Sequence, residues 1–399
     1  MRSSKKPTSS SNLPYIPPEI LIQIFPTLPV KTLLRFRCVC KSWRSIIDNP
    51  DFVHMHFQHS RINSENNTSN KLLLSFEGMG CSEDVGCVLT VRHAETLGKI
   101  DRIFRTHSGK YRIIGSCNGL ILVGLYAPHG HLKQLRLWNP CIRKSFLFPT
   151  CPLRLDWIGD FVWYLFGFAP RSQDYKVIGF APDYIRGVEN GIIYFAVYTL
   201  SNQEWTVRKD PLNVAILNNH SRRGLFDYVS TAVFFRGAGH WLGKIDNHRN
   251  AFTHLVSFDF DQEKLTFLEL PFTCEEKGSL RFLFFLGGSL AVLGISKVSS
   301  SIWMLEQDNQ KGPWTLSFSG NSSEDGYEVF ELCHGKLEKV FYCESDGGYF
   351  ICGNKIYNIG SCQVQPFKKY MSSHLKLEKY WESLVLFKGY RARDLRSSP

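Results

Sequence analysis

No Cys-x-x-Cys pair occurs among the 12 cysteines, and no stretch of 18 apolar residues is present. No run of Lys and Arg is long enough to line a nucleic-acid groove. The first absence excludes the common zinc knuckles. The second excludes a membrane-spanning helix, and the third removes nucleic acid as an expected partner. The G-x-S-x-G, H-E-x-x-H and phosphate-cradling glycine signatures are missing as well, so no recognised catalytic constellation is present and no cofactor is implied. The segment Met1–Ser11 is polar and basic without the apolar stretch of a secretory leader. The expected location is therefore the cytoplasm or nucleus, with thiols reduced.

What is present is aromatic and mildly basic. Phe, Tyr and Trp make up 14% of the 399 residues, which tilts the expectation toward strands. The length suits a small domain plus a large one. The net charge is +11, divided as +5 in residues 1–60 (8 basic minus 3 acidic) and +6 in the remainder (39 minus 33). The larger part is thus close to neutral for its size. Cys333, Cys343, Cys352 and Cys362 recur every nine or ten residues, the spacing of successive strands in a meander.

The N-terminal part reads as helical. Residues 1–12 are Ser- and Lys-rich and are expected to be disordered. Pro17 and Pro18 open a first helix, with Glu19 in its first turn. Ile20, Leu21, Ile24 and Phe25 follow at helical spacing, and Pro26 stops or kinks the helix. A second helix is expected from Val30 to about Arg37, with Leu33, Leu34 and Phe36 apolar. A third spans about Cys40 to Ile47, carrying Trp43, Ile46 and Ile47. Asn49-Pro50 ends it, and a short trailing helix runs to Phe57. Helices this short are marginal alone. So many large apolar side chains imply a covering partner or docking onto the rest of the chain.

The run Ile16-Pro17-Pro18-Glu19-Ile20-Leu21, then Leu28-Pro29-Val30-Lys31, then Leu33 through Arg44 resembles the F-box in its plant form. The resemblance implies a three-helix module over residues 13–58 that binds a Skp-type adaptor and, through it, a cullin scaffold. It assigns adaptor contact to Pro17, Ile20, Leu21, Leu28, Pro29, Leu33, Val39, Cys40 and Trp43. Ile16 replaces the usual Leu. Pro26 replaces a polar or basic residue, which implies a distorted end to the first helix.

Residues 59–70 read as a polar linker. Beyond it, short apolar runs alternate with turns, which predicts a large all-β domain over 71–390, a β-propeller or propeller-like ring. Residues 391–399 read as a second disordered tail. A strand–turn–strand unit recurs around Trp138, Trp205, Phe267, Trp314 and Val364. The strand Ser383–Phe387 is expected to complete the first blade. Gly115-Ser116-Cys117-Asn118-Gly119-Leu120, Trp138-Asn139-Pro140 and Tyr380-Trp381-Glu382-Ser383-Leu384 resemble the plant F-box-associated domain, sometimes described as kelch-like. Asn118-Gly119 is expected to supply positive φ at a hairpin.

Candidate chemistry is sparse. His54, His56 and His59 form a weak metal-like spacing that reads as surface or packing histidines. Asp259 and Asp261 read as turn residues, and Arg222-Arg223 as a solvated loop. Two function classes follow. One is a non-catalytic adaptor that brings an unidentified protein substrate to a ubiquitin ligase. The other is a β-propeller enzyme or sugar-binding lectin with a helical cap.

Overall fold

The computed structural model describes residues 16–66, 72–78, 87–93, 99–105, 110–126, 132–153, 162–180, 192–211, 232–243, 253–271, 280–286, 289–295, 299–306, 313–321, 337–341, 349–352, 355–358, 364–366 and 376–385. Four helices come first: α1 (Pro18–Ile24), α2 (Val30–Phe36), α3 (Lys41–Ile47) and α4 (Pro50–Asn66). Pro26 does end α1. The chain tightens there into a single 3-10 turn, Phe25–Thr27, and Pro26 is buried in it. The trailing helix is longer than its apolar residues suggest. It passes Phe57 and runs on to Asn66, because nothing between 58 and 66 is a Gly or Pro that would break it.

Beyond α4, most of the described residues are β-strand, arranged in six separate four-stranded antiparallel sheets. The first joins β1 (Leu72–Gly78), β2 (Cys87–His93) and β3 (Lys99–Arg105) with the distant β24 (Lys376–Tyr380). The second holds β4 (Lys110–Cys117), β5 (Leu120–Tyr126), β6 (Leu132–Asn139) and β7 (Lys144–Leu147). The third holds β8 (Trp163–Ala169), β9 (Asp174–Phe180), β10 (Ile192–Thr199) and β11 (Glu204–Pro211). The fourth is β12 (Val233–Phe235), β13 (Ala238–Gly243), β14 (His254–Asp259) and β15 (Lys264–Glu269). The fifth is β16 (Leu280–Leu286), β17 (Ser289–Ile295), β18 (Ser299–Leu305) and β19 (Trp314–Asn321). The sixth is β20 (Leu337–Phe341), β21 (Tyr349–Cys352), β22 (Lys355–Asn358) and β23 (Val364–Pro366).

The closing strand is not the expected one. β24 lies at residues 376–380 and pairs antiparallel with β1, Leu72 opposite Tyr380. Residues 383–385 form no strand. Lys-Leu-Glu-Lys-Tyr alternates charge and apolar groups as a half-solvated strand does, whereas the more apolar Ser383-Leu384-Val385 serves another purpose, described below.

The recurring unit is the hairpin between the third and fourth strands of a sheet. Tyr198 pairs with Trp205, Leu305 with Trp314 and Tyr357 with Val364, each at or next to the start of the fourth strand, while Phe267 lies further along β15 opposite Val256. Trp138 breaks the series: it lies on the third strand, β6, and faces Ser145 on the fourth. Three of these hairpins, in the second, third and fourth sheets, share one turn. Arg143, Gln203 and Glu263 all sit at the last turn position with φ near +55°, and Gln173 does the same between β8 and β9. Asp259 and Asp261 are turn residues: the Asp259 carboxylate accepts the amides of Asp261 (2.8 Å) and Gln262 (2.7 Å). Asp261 accepts the amides of Arg171 (3.0 Å) and Ser172 (3.1 Å) from the neighbouring sheet.

Apolar faces of adjacent sheets seal against each other. Leu165, Ile178, Phe180, Phe195 and Val197 of the third sheet pack with Trp241, Val256, Phe258 and Phe260 of the fourth sheet and its β14–β15 turn. Neighbouring sheets touch through β24 and β4, β4 and β8, β8 and β13, β13 and β16, β16 and β20, and β20 and β24. Within the fourth sheet, burial drives the His240 pKa down to about 4, against a weaker opposing bond to the Phe235 carbonyl. Its Nδ1 lies 2.7 Å from the Ser257 hydroxyl. The imidazole is therefore neutral in the fold, while in the unfolded chain it takes a proton near pH ~6.5. Stability is expected to fall as pH drops from ~6.5 toward about 4. A urea titration at several pH values tests this: His240→Gln should flatten the slope in that window, and an unchanged slope would count against the assignment.

Asn118 (φ 51°) and Gly119 (φ 77°) form the expected left-handed hairpin between β4 and β5. A Cβ on Gly119 would lie 2.4 Å from the Trp381 carbonyl and 2.6 Å from Ser383 Cβ. Gly119→Ala thus adds backbone strain of about 1–2 kcal/mol and displaces a packed segment. The melting midpoint is expected to fall by about 3–8 °C. Gly115→Ala, where a Cβ would meet only ordinary contacts at 3.6 and 4.0 Å, should move it little.

Candidate functional site: the N-terminal helical face

The helices enclose an aromatic core. Phe25 packs against Phe36 (5.6 Å between ring centroids), Trp43 (5.2 Å) and Phe52 (6.4 Å). Leu21, Val30, Leu33 and Ile47 complete it. The α2–α3 connection is tied down by Asp48, whose carboxylate binds the Arg37 guanidinium through both oxygens and receives a weaker bond from Arg44 at 3.4 Å. Partial burial alone would raise the Asp48 pKa, but these two cations hold it below the usual carboxylate range. His56, on α4, is buried and donates from Nε2 to the Leu28 carbonyl at 2.9 Å, which fixes the Leu28-Pro29 connector. Burial keeps its pKa below the ordinary imidazole value, with His59 adding to the effect. His54 is exposed, and no group of three or more His, Cys, Asp or Glu among the described residues could hold a metal ion.

The nine motif positions separate by burial. Pro17, Ile20, Pro29, Val39 and Cys40 are exposed, Val39 at 63% and Ile20 at 42%. Leu28 and Trp43 are half-buried. Leu21 and Leu33 are sealed in the core, Leu33 at 0%. Pro17 and Pro29 also start helices: the Pro17 carbonyl accepts Ile20 N–H, and that of Pro29 accepts Thr32 N–H at 2.9 Å. Cys40 caps α3, its Sγ accepting the Trp43 amide at 3.5 Å. The Ser42 hydroxyl, 3.2 Å away, and the Trp43 amide lower its thiol pKa.

Five exposed apolar residues of the helical module lay outside the expected set: Ile16 (44%), Ile22 (42%) and Ile24 (46%) at α1, and Met55 (38%) and Ile62 (51%) on α4. The signal for two of them is the spacing of Ile16, Ile20 and Ile24, one every four residues beside the buried pair Leu21 and Phe25. A helix of seven residues with three exposed isoleucines, Ile20, Ile22 and Ile24, presents a face suited to an apolar partner.

Protein-family comparison meets this geometry at both ends. A model described as F-box-like matches residues 13–59, and one described as the F-box associated beta propeller domain matches residues 87–385, about three quarters of the chain. The chain belongs to the F-box-associated family. It is 22% identical to the F-box/kelch-repeat protein At3g23880 of Arabidopsis thaliana over 76% of this chain and 79% of that one. Identity to the putative F-box/kelch-repeat protein At1g15680 of the same plant is 24%, over 93% and 86% of the two chains. To putative F-box only protein 11, also from that plant, it is 26% over 75% and 70%. Among solved structures, the β-propeller domain of the trilobed protease from Pyrococcus furiosus overlaps at a TM-score of 0.36 and 8% identity, covering 74% of this chain and 79% of that one. That likeness is too loose to carry an argument. The F-box helices therefore carry the exposed apolar residues, and the F-box-associated domain carries the sheets.

Other expectations find plain places. Cys117 and Cys151 are buried free thiols; burial pushes the Cys117 thiol far up and that of Cys151 up to about 11, so both are inert packing residues. Arg222-Arg223, Cys333, Cys343 and Cys362 lie outside the described residues, and Cys352 is described only in its backbone.

Proposed function

We propose that this chain is the substrate-recognition subunit of a Skp–cullin–F-box ubiquitin ligase: a non-catalytic adaptor that tethers a target protein for ubiquitination. The carrying observation is that Pro17, Ile20, Pro29 and Val39, at motif positions of the F-box, stand exposed on the helical module, Ile20 on α1 and the other three in the segments that flank or join the helices. Apolar surface of this kind is what an adaptor would bury. The work of such a subunit is proximity. Holding a substrate lysine near the conjugating enzyme raises its effective concentration and requires no catalytic group on this chain.

Two further features support the reading. The cyclic order in which the sheets adjoin, with β24 from the end of the domain paired to β1 at its start, favours a closed ring of six blades. The tight turns at 118–119, 140–143, 170–173, 200–203, 236–237 and 260–263 follow alternate strands and so share one end of the sheets. The F-box packs against that end through Cys141 and Ile142. The strands that end on the opposite side of the sheets include β9 at Phe180, β11 at Pro211 and β13 at Gly243. We assign substrate contact to that end, since binding residues concentrate on loops held by rigid strands. Free thiols suit work in the cytosol or nucleus.

A pull-down of the purified full chain with a purified Skp-type adaptor is the test. Stable capture at micromolar concentration is expected. No capture by a folded chain would overturn the reading in favour of a propeller enzyme or lectin.

A further inference from the structure

The five residues after β24, Trp381–Val385, lie at the very end of the F-box-associated match, yet together with Tyr380 they touch both folding units. Toward the sheets, Tyr380 is buried with Val91, Ile121 and Trp138, and its hydroxyl lies 2.8 Å from Cys141 Sγ. Asn139, fully buried, donates from Nδ2 to the carbonyls of Ser383 (2.9 Å) and Val385 (3.1 Å) and accepts the Cys141 amide on Oδ1 (3.0 Å). Gly119 is pressed against the Trp381 carbonyl. Toward the helices, Glu382 Oε2 accepts the Val30 amide at 3.2 Å. That amide opens α2 and has no partner within its own helix, and a carboxylate there also suits the helix dipole. Phe57 meets Trp381 edge-on at 6.2 Å. Leu384, 4% exposed, sits in the F-box core with Leu21, Phe25, Val30, Leu33, Ile47 and Phe52.

The F-box is therefore not complete in its own sequence. One of its core side chains and one of its helix-capping groups come from more than 300 residues downstream. Both follow directly on the strand that finishes the first sheet. Chains fold as they emerge, N-terminal parts first. The helices are thus made long before Leu384 and Glu382 exist to support them.

We infer that residues Tyr380–Val385 couple the F-box to closure of the β domain: the helical core is completed only when β24 has paired with β1, so a chain with an unclosed β domain presents a loosened docking face. The structural half of this inference is independent of the ligase reading; its consequence for adaptor docking rests on it.

Hydrogen exchange on the full chain tests the coupling, read at the amides of Val30, Leu33 and Arg37. Leu384→Val and Glu382→Gln, both mild enough to keep the chain folded, should speed exchange at these amides about tenfold while leaving the fourth sheet unchanged. Asn139→Ala decides more. Among the described residues its side chain bonds residues 141, 383 and 385 and no helix, yet helical exchange should rise as well. Unchanged helical exchange in Asn139→Ala, beside perturbed exchange in the first two sheets, would overturn the coupling. So would unchanged helical exchange in both milder variants. Capture of a purified Skp-type adaptor is measured on the same samples and should weaken in step with helical exchange. If the unaltered chain captures no adaptor while the exchange results hold, the coupling stands and the ligase reading falls.

Discussion

Changing Ile20 and Val39 together to Glu is expected to weaken capture of a Skp-type adaptor at least about 100-fold while moving the melting midpoint by no more than about 2 °C. Both side chains are largely exposed, 42% and 63%, so their replacement removes little packing. In a complex they would be covered. A carboxylate forced into an apolar contact is strongly disfavoured, and central apolar contacts each contribute about 2 kcal/mol or more to such interfaces. Leu33→Ala is the instructive contrast. Leu33 is fully buried, and its truncation should cost about 2–5 kcal/mol through lost packing and a residual cavity. Capture would fall there too, but with the helices loosened, as circular dichroism and exchange would reveal. Leu33 and Leu21 then position the docking face without forming it. Wild-type capture by the Ile20/Val39 double variant would remove these two residues from the proposed interface.

A second large effect is expected at the seam between the third and fourth sheets. Lys176 on β9 is 7% exposed, and its Nζ lies 2.8 Å from Glu263 Oε1 and 2.8 Å from the Phe260 carbonyl. Arg208 on β11 holds the other carboxylate oxygen at 2.8 Å. Glu263→Ala would leave a nearly buried ammonium with one carbonyl for company, at a cost of about 3–5 kcal/mol. Lys176→Met with Glu263→Gln should recover most of it, because no charge is then stranded. Chemical denaturation of both singles and the double gives the coupling, and additive losses would show that the pair does not act as one unit. The pH dependence is a further check. Burial alone would raise the Glu263 pKa, but the bonds and charges of Arg208 and Lys176 outweigh it and hold the group low. Its contribution is full above the unfolded carboxylate value of ~4.3 and is lost as pH falls through the lower folded value. Glu263→Gln should lose that acid-side slope while keeping the one expected from His240.

Local features were legible before the fold was known. Pro18, Pro26, Pro29 and Pro50 bracket α1 to α3, whose ends lie within a residue or two of the expected ones, since proline restricts its own φ and its predecessor's conformation wherever it occurs; α4, with no proline to stop it, runs nine residues past its expected end. Asn118-Gly119 announced its hairpin, and the third-to-fourth-strand turns announced the repeat. Strands β2 and β3 give only a weak signal because Cys87–His93 and Lys99–Arg105 mix charged and apolar groups and their apolar runs are no longer than three residues. The docking residues were half legible. A helical stripe of Ile20, Leu21, Ile24 and Phe25 states a period but not a direction, and both adjoining rows on α1 are apolar. Only the position of Phe36, Trp43 and Phe52 determines that Leu21 and Phe25 turn inward while Ile20 and Ile24 stay outside.

From residue order alone came the family, the helices and the turns, because each depends on groups a few positions apart. Tertiary structure decided which leucines are core and which isoleucines are surface, which strand closes the first sheet, and that Leu384 fills a helical core instead of a strand. Those outcomes depend on pairs such as Val30 with Glu382 and Asn139 with Ser383, brought together from hundreds of residues apart. No local preference encodes such a pairing; it is set by which surfaces must leave water together.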